Sequence, residues 1–182
     1  MAHDCCEGAV FDGTSAVYRR KLGAVIAINA GMFLVEMGAG HLAGSQALKA
    51  DALDFAGDAL TYGVSLAVIG APLAVRAGAA LAKGASLALM GLLVLGTTLW
   101  QVLLRGVPEA EVMGAVGLMA LAANLASVWI LRAHAEGDAN VRSVWLCSRN
   151  DAIGNVAVMV AALGVWGSGT AWPDLAVAGL MA

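Results

Sequence analysis

Charge is what this chain has least of. Asp, Glu, Lys and Arg make up 13% of its 182 residues, about half of what a water-soluble domain uses to cover its surface. That shortage excludes an ordinary soluble domain. Basic residues are scarcer than acidic ones, 10 against 13, and a net charge of -3 with a pI near 5.5 provides no broad cationic face. Nucleic acid is therefore excluded as the expected partner. Cysteine is too sparse for a disulfide framework: there are 3, two of them adjacent at Cys5 and Cys6. The 3 histidines form no H-E-x-x-H motif, so an intramembrane metalloprotease is not expected and the chain reads as a non-enzyme. Internal repeats, low-complexity tracts and an extramembrane domain are also missing.

Apolar residues, by contrast, make up 60% of the chain, the mean hydropathy is +0.82, and 23 glycines suit helices that approach closely in lipid. A membrane span needs about 20 mostly apolar residues. Five segments qualify: Leu22–Gly44, Ala50–Leu73, Gly84–Leu104, Val112–Leu131 and Val144–Gly167. A sixth starts near Trp172 and reaches Ala182 after too few residues to cross, so it is expected to be an incomplete or re-entrant helix. The predicted fold is all-α, a polytopic membrane helical bundle with six transmembrane helices. Residues 1–21 form an N-terminal tail and 22–182 the membrane domain. The first apolar stretch is too long for a signal peptide, and its acidic, cysteine-bearing leader is the wrong start.

Basic residues set the orientation. Arg19, Arg20, Lys21, Arg76, Lys83, Arg132 and Arg142 fall on the side of the N-terminus, and only Lys49 and Arg105 on the other. The N-terminus is accordingly expected in the cytoplasm, and the protein in a bacterial inner membrane. Trp100, Trp145, Trp166 and Trp172 fall near span ends, as an aromatic belt would.

Within this apolar background a few ionisable groups are out of place, and inside hydrocarbon each such group is a functional hypothesis. Asp51, Asp54 and Asp58 lie on the second span, and the last two are i, i+4 neighbours on one helix face. Two carboxylates so close need a cation or a proton between them. The fifth span carries a matching i, i+4 pair, Cys147 and Asp151. Brought together by antiparallel helices, three oxygens and one sulfur suit zinc or cadmium better than magnesium or calcium. Asp51 also reads as a structural group bonded to a neighbouring helix. Asn29 and Glu36, seven apart on the first span, and Asn124 on the fourth are expected to line the same interior. Glu36 is a candidate proton carrier or, equally, a packing hydrogen-bond donor or acceptor. His41 and His134 read as interfacial residues.

The run Asn29-Ala-Gly-Met-Phe-Leu-Val-Glu36, then Gly-Ser45-Gln-Ala-Leu-Lys-Ala-Asp51-Ala-Leu-Asp54-Phe-Ala-Gly-Asp58, resembles the first two helices of the cation diffusion facilitator family. Gly137-Asp-Ala-Asn140-Val-Arg-Ser-Val-Trp-Leu-Cys147-Ser-Arg-Asn-Asp151 resembles its fourth loop and fifth helix. The resemblance implies a six-helix, proton-coupled exporter of divalent transition metals. It implies a transport site of Asp54, Asp58, Cys147 and Asp151, with no resident cofactor. Zinc or cadmium is the expected cargo, with cobalt and nickel as further candidates. The sequence departs from the family in three ways. Cys147 stands where His or Asp is usual, which leaves metal preference open; a His-rich fourth loop is lacking; and the cytoplasmic C-terminal domain through which many members dimerise has no counterpart. A homodimer in the bilayer is still expected, because a bundle of this size buries its polar interior better with a partner. The alternative reading is a non-transporting membrane sensor or assembly protein that holds metal structurally. In the tail, His3, Cys5 and Cys6 supply zinc-type ligands beside Asp4 and Glu7, either as a metal-capturing arm or as an incidental terminus.

Overall fold

The computed structural model describes residues 14–69, 71–104, 106–136 and 139–181, and these are helical in six segments joined by short turns. They are α1 (Ala16–Ala43), α2 (Gln46–Ala67), α3 (Leu73–Leu104), α4 (Ala110–Leu131), α5 (Ala139–Ser168) and α6 (Trp172–Met181), with a 3-10 turn at Arg132–His134 extending α4.

Local sequence explains the first hairpin. The Ser15 hydroxyl caps α1 by accepting from the Tyr18 amide at 3.2 Å. At the other end Gly44 takes φ 70°, a left-handed conformation that closes the helix at little cost only for glycine, and its N–H returns to the Gly40 carbonyl. Ser45 then caps α2, accepting from the Leu48 amide at 3.0 Å. A distant residue completes this cap. Asp174 on α6 accepts from the Ser45 hydroxyl at 2.6 Å and from the Gln46 and Ala47 amides at 2.8 and 3.0 Å. A carboxylate on three donors at a helix N-terminus is favourable both as hydrogen bonding and against the helix dipole. It pins α6 to the start of α2. This cap also explains why α2 begins at Gln46 rather than near Ala50 as the hydropathy predicts; its helix ends at Ala67, ahead of Pro72.

α1 packs on α2 and α4, α4 on α5, and α2 on α5, while α3 lies outside against α2 and α6. Gly117 is one reason α4 and α5 approach so closely: a Cβ there would meet the Met159 side chain at 3.3 Å. One end of the bundle is filled by Tyr18, Leu22, Val25, Tyr62, Leu131, Val141 and Val144. The other end is filled by Ala47, Leu48, Met113, Val158, Ala161, Ala162 and Val165.

The layering is inverted relative to a soluble protein. Asn29, Glu36, Asp51, Asp58, Asn124, Ser127, Ser148 and Asn155 are buried, whereas Leu34, Leu42, Leu118, Leu125, Ile153, Val160 and Leu163 face outward. Such a surface suits lipid. Three helical stretches are long and apolar enough to cross a membrane: Ala16–Ala43, Ala110–His134 and Val141–Ser168. This is fewer than the six crossings expected. α2 carries Lys49, Asp51, Asp54 and Asp58 within its 22 residues, which lowers its apolar character, and α6 has only 10 residues. α3 is longer than the predicted Gly84–Leu104 span, and its apolar stretch is Gly84–Trp100.

Candidate cation site

The site is built where α2 meets α5, and an antiparallel register brings it together. Asp51 pairs with Asn155, Asp58 with Asp151, and Tyr62 with Ser148. The pairs advance along α2 from Asp51 through Asp58 to Tyr62 as they go back along α5 from Asn155 through Asp151 to Ser148, so the two helices run antiparallel. The i, i+4 repeats of carboxyl groups become rungs between two helices rather than a stripe on one.

The middle rung holds the expected residues. The Asp151 carboxyl faces those of both Asp54 and Asp58, close enough for the three to act on one another electrostatically. Its Oδ2 receives no hydrogen bond. Three carboxyl groups this close, one buried and two half-buried, repel one another when all are charged, which favours a shared proton or a cation. Cys147 lies within electrostatic reach of Asp58, Asp151 and Asp54, but its side chain is exposed on the flank of α5.

Tyr62 connects this rung to the next. Its hydroxyl donates to Asp58 Oδ2 and meets the Cys147 thiol, with the Val144 carbonyl oxygen at 3.3 Å and Ser148 Oγ at 3.4 Å. Sequence reasoning overlooked Tyr62 and Ser148. The available signal for Tyr62 was its place one turn beyond Asp58, on the same helix face, where its hydroxyl can donate to the carboxylate. Among the described residues no group of three or more His, Cys, Asp and Glu side chains is set to hold a metal ion.

The third rung extends across four helices. Asn155 Nδ2 donates to Asp51 Oδ2 at 2.6 Å, and Asn155 Oδ1 accepts from Asn124 Nδ2 at 3.0 Å. On the far side of Asp51 its carboxyl meets that of Glu36. Glu36 and Asn155 are 0% exposed and Asp51 and Asn124 1%, yet no donor reaches either Glu36 oxygen. The bond to Asn155 ties Asp51 on α2 to α5. Continuing the i, i+4 step past Asp151 would have found Asn155. Asn29 is buried but turns its amide back to the Val25 carbonyl of its own helix at 2.8 Å, and so does not join the others. His41 lies at the far end of α1, and His134 packs against Tyr18 at the opposite end of the bundle. His3, Cys5 and Cys6 lie outside the described residues.

No protein-family model matches the chain, and no curated protein matches it either.

Proposed function

We propose that this chain is a carrier of divalent transition-metal cations, zinc or cadmium by donor chemistry, in the manner of the cation diffusion facilitators it resembles. The observation that carries the reading is the closeness of Asp151 on α5 to Asp54 and Asp58 on α2. Asp58 is buried, and Asp54 and Asp151 are half-buried, between helices with apolar outer faces. Such a cluster destabilises the bundle unless its charge is compensated, and a transported cation or protons would compensate it in turn.

In this reading the bundle sits in a bacterial inner membrane with the N-terminus in the cytoplasm, and α6, with 10 residues, enters the bilayer without crossing it. The cation displaces the Tyr62 hydroxyl from Asp58 and is bound by Asp54, Asp58 and Asp151, and Cys147 turns inward to add a thiolate. Ligation needs deprotonated donors, so metal binding releases protons and protonation releases metal. Rocking of the helices about this point would make the competition an antiport. A second copy of the chain, packed through the apolar outer faces, would complete a homodimer.

The test is proteoliposomes of the purified chain with a zinc-sensitive dye inside and an imposed pH gradient. Zinc flux that follows the gradient and is lost in Asp54→Asn and Asp151→Asn is the expected result. Equal flux in these variants and the unaltered chain would overturn the site. Zinc binding without flux would favour the structural metal holder instead.

A further inference from the structure

A second feature lies away from the carboxyl ladder, at the end of the bundle where α1 starts and α4 stops. Because the two helices run in opposite directions, the basic residues after Ser15 and those following Leu131 come to the same level. Between them is a groove of about 530 Å³. Ala24, Ile130 and Ala133 make its walls apolar, while Arg20, Lys21 and Arg132 supply the cations. Trp129 forms the remaining flank, 64% exposed, with the Arg132 guanidinium 5.3 Å above its ring.

The described residues of this groove are all basic or apolar. No acidic side chain lines it among the described residues, and the first turn of α1 contains no Asp or Glu to offset the positive end of the helix dipole. An anion in the groove is therefore attracted by Arg20, Lys21 and the Arg132 guanidinium together. The walls specify what kind of anion. A free phosphate ion would gain nothing from Ala24, Ile130 and the Trp129 face, whereas an acyl chain leaving a headgroup would lie along them.

We propose that this groove binds an anionic phospholipid, its phosphate held by Arg20, Lys21 and Arg132 and its first acyl segment against Ala24, Ile130 and Trp129. The site depends only on the bundle sitting in a bilayer, not on what the carboxyl ladder carries. Basic clefts between membrane helices are suited to such lipids because charge attraction and apolar burial act on the same molecule.

The experiment uses the full chain in nanodiscs of phosphatidylcholine into which brominated phosphatidylglycerol is titrated, with quenching of tryptophan fluorescence as the readout. Saturable quenching is expected, largely lost in Trp129→Phe. The triple variant Arg20→Gln, Lys21→Gln, Arg132→Gln should bind about a hundredfold more weakly, given the contribution of each basic residue at an anionic surface. All three positions are at the bundle surface, and replacing Arg20 and Arg132 with Lys should keep most of the binding, so loss of fold is distinguishable from loss of the site. A control triple, Arg19→Gln, Arg142→Gln, Arg149→Gln, removes equal charge outside the groove. Equal weakening by both triples would reduce the effect to general surface attraction and overturn the proposal. So would equal quenching by brominated phosphatidylcholine, or displacement of the lipid by millimolar inorganic phosphate.

Discussion

Two rungs of the same α2–α5 interface, one turn apart, are finished to different degrees. Around Asp51 the polar groups are paired in a fixed order: Asn124 donates to Asn155, and Asn155 donates to Asp51. A carboxamide has one donor end and one acceptor end, so this chain has a direction and ties α4, α5 and α2 together. Around Asp151 there is no such order. Carboxyl faces carboxyl, a phenol reaches Asp58, and the thiol is exposed. The first arrangement suits a joint that holds helices. The second suits a position that must accept and release a charge, because its members gain from a ligand what they cannot gain from one another. The ordered side has exceptions at its two ends: the Glu36 carboxyl meets Asp51 without a donor, and the Asn124 side-chain oxygen has no partner.

The largest effect that separates the two rungs is expected from Asp54→Asn and Asp151→Asn. Each should lower zinc affinity by at least about a hundredfold, at or above the upper end for residues that only support metal ligands, and isothermal titration of the purified chain measures it. The same variants should not lower thermal stability in detergent, since each removes one of several mutually repelling groups. A loss of stability like that of a core substitution would make the middle rung another structural joint.

Asn155→Leu probes the ordered rung. It strips the donor from Asp51 and the partner from Asn124 in a fully buried place, and about 1–3 kcal/mol of stability should go with it. Thermal unfolding followed by circular dichroism would show the drop. Unchanged stability would remove the distinction between the rungs.

Cys147 tests whether the open rung can be completed. A maleimide probe on a Cys5→Ser, Cys6→Ser background should label Cys147 readily, and cadmium should slow that labelling if the thiol turns inward to ligate. Cys147→Asp should then shift preference from cadmium toward manganese, because a soft donor is exchanged for a hard one. An unchanged preference would exclude the thiol from the site.

A smaller effect is expected from Tyr62→Phe, which frees the Asp58 oxygen that the hydroxyl occupies. Zinc affinity should rise by a few-fold to about tenfold, the worth of one hydrogen bond of about 0.5–1.5 kcal/mol. The smallest should come from deleting Met1–Glu7. If His3, Cys5 and Cys6 only concentrate metal near the entrance, the apparent KM rises and the maximal rate stays; a change in neither would leave the tail without a role. Affinity in every variant that keeps a working site should rise with pH, since the ligands must lose protons to bind.

Much of this was legible before any coordinates. The apolar spans place all six helices, with Ser45, Gly44 and Pro72 marking ends that hydropathy alone put a few residues off. The spacings of Asp54 with Asp58 and of Cys147 with Asp151 located the helix pair and the grouping of three of the four residues. The position of Cys147 was not legible. Four residues make slightly more than one turn, so a small rotation of α5 decides whether a side chain at that place points inward or lies on the flank.

Sequence by itself determined the composition that needs lipid, the helical segments and the residue types that carry charge into the interior. These are local quantities: each depends on neighbours within a few positions along the chain. Only the tertiary structure decided which charges would meet. The register that sets Asp51 opposite Asn155 and Asp151 opposite Asp54 and Asp58, the reach of Tyr62 to Asp58, and the cap that Asp174 places on α2 all join residues far apart in sequence. Such pairings follow from how helices slide and rotate against one another as their side chains interlock, and no periodicity within a single helix contains that information.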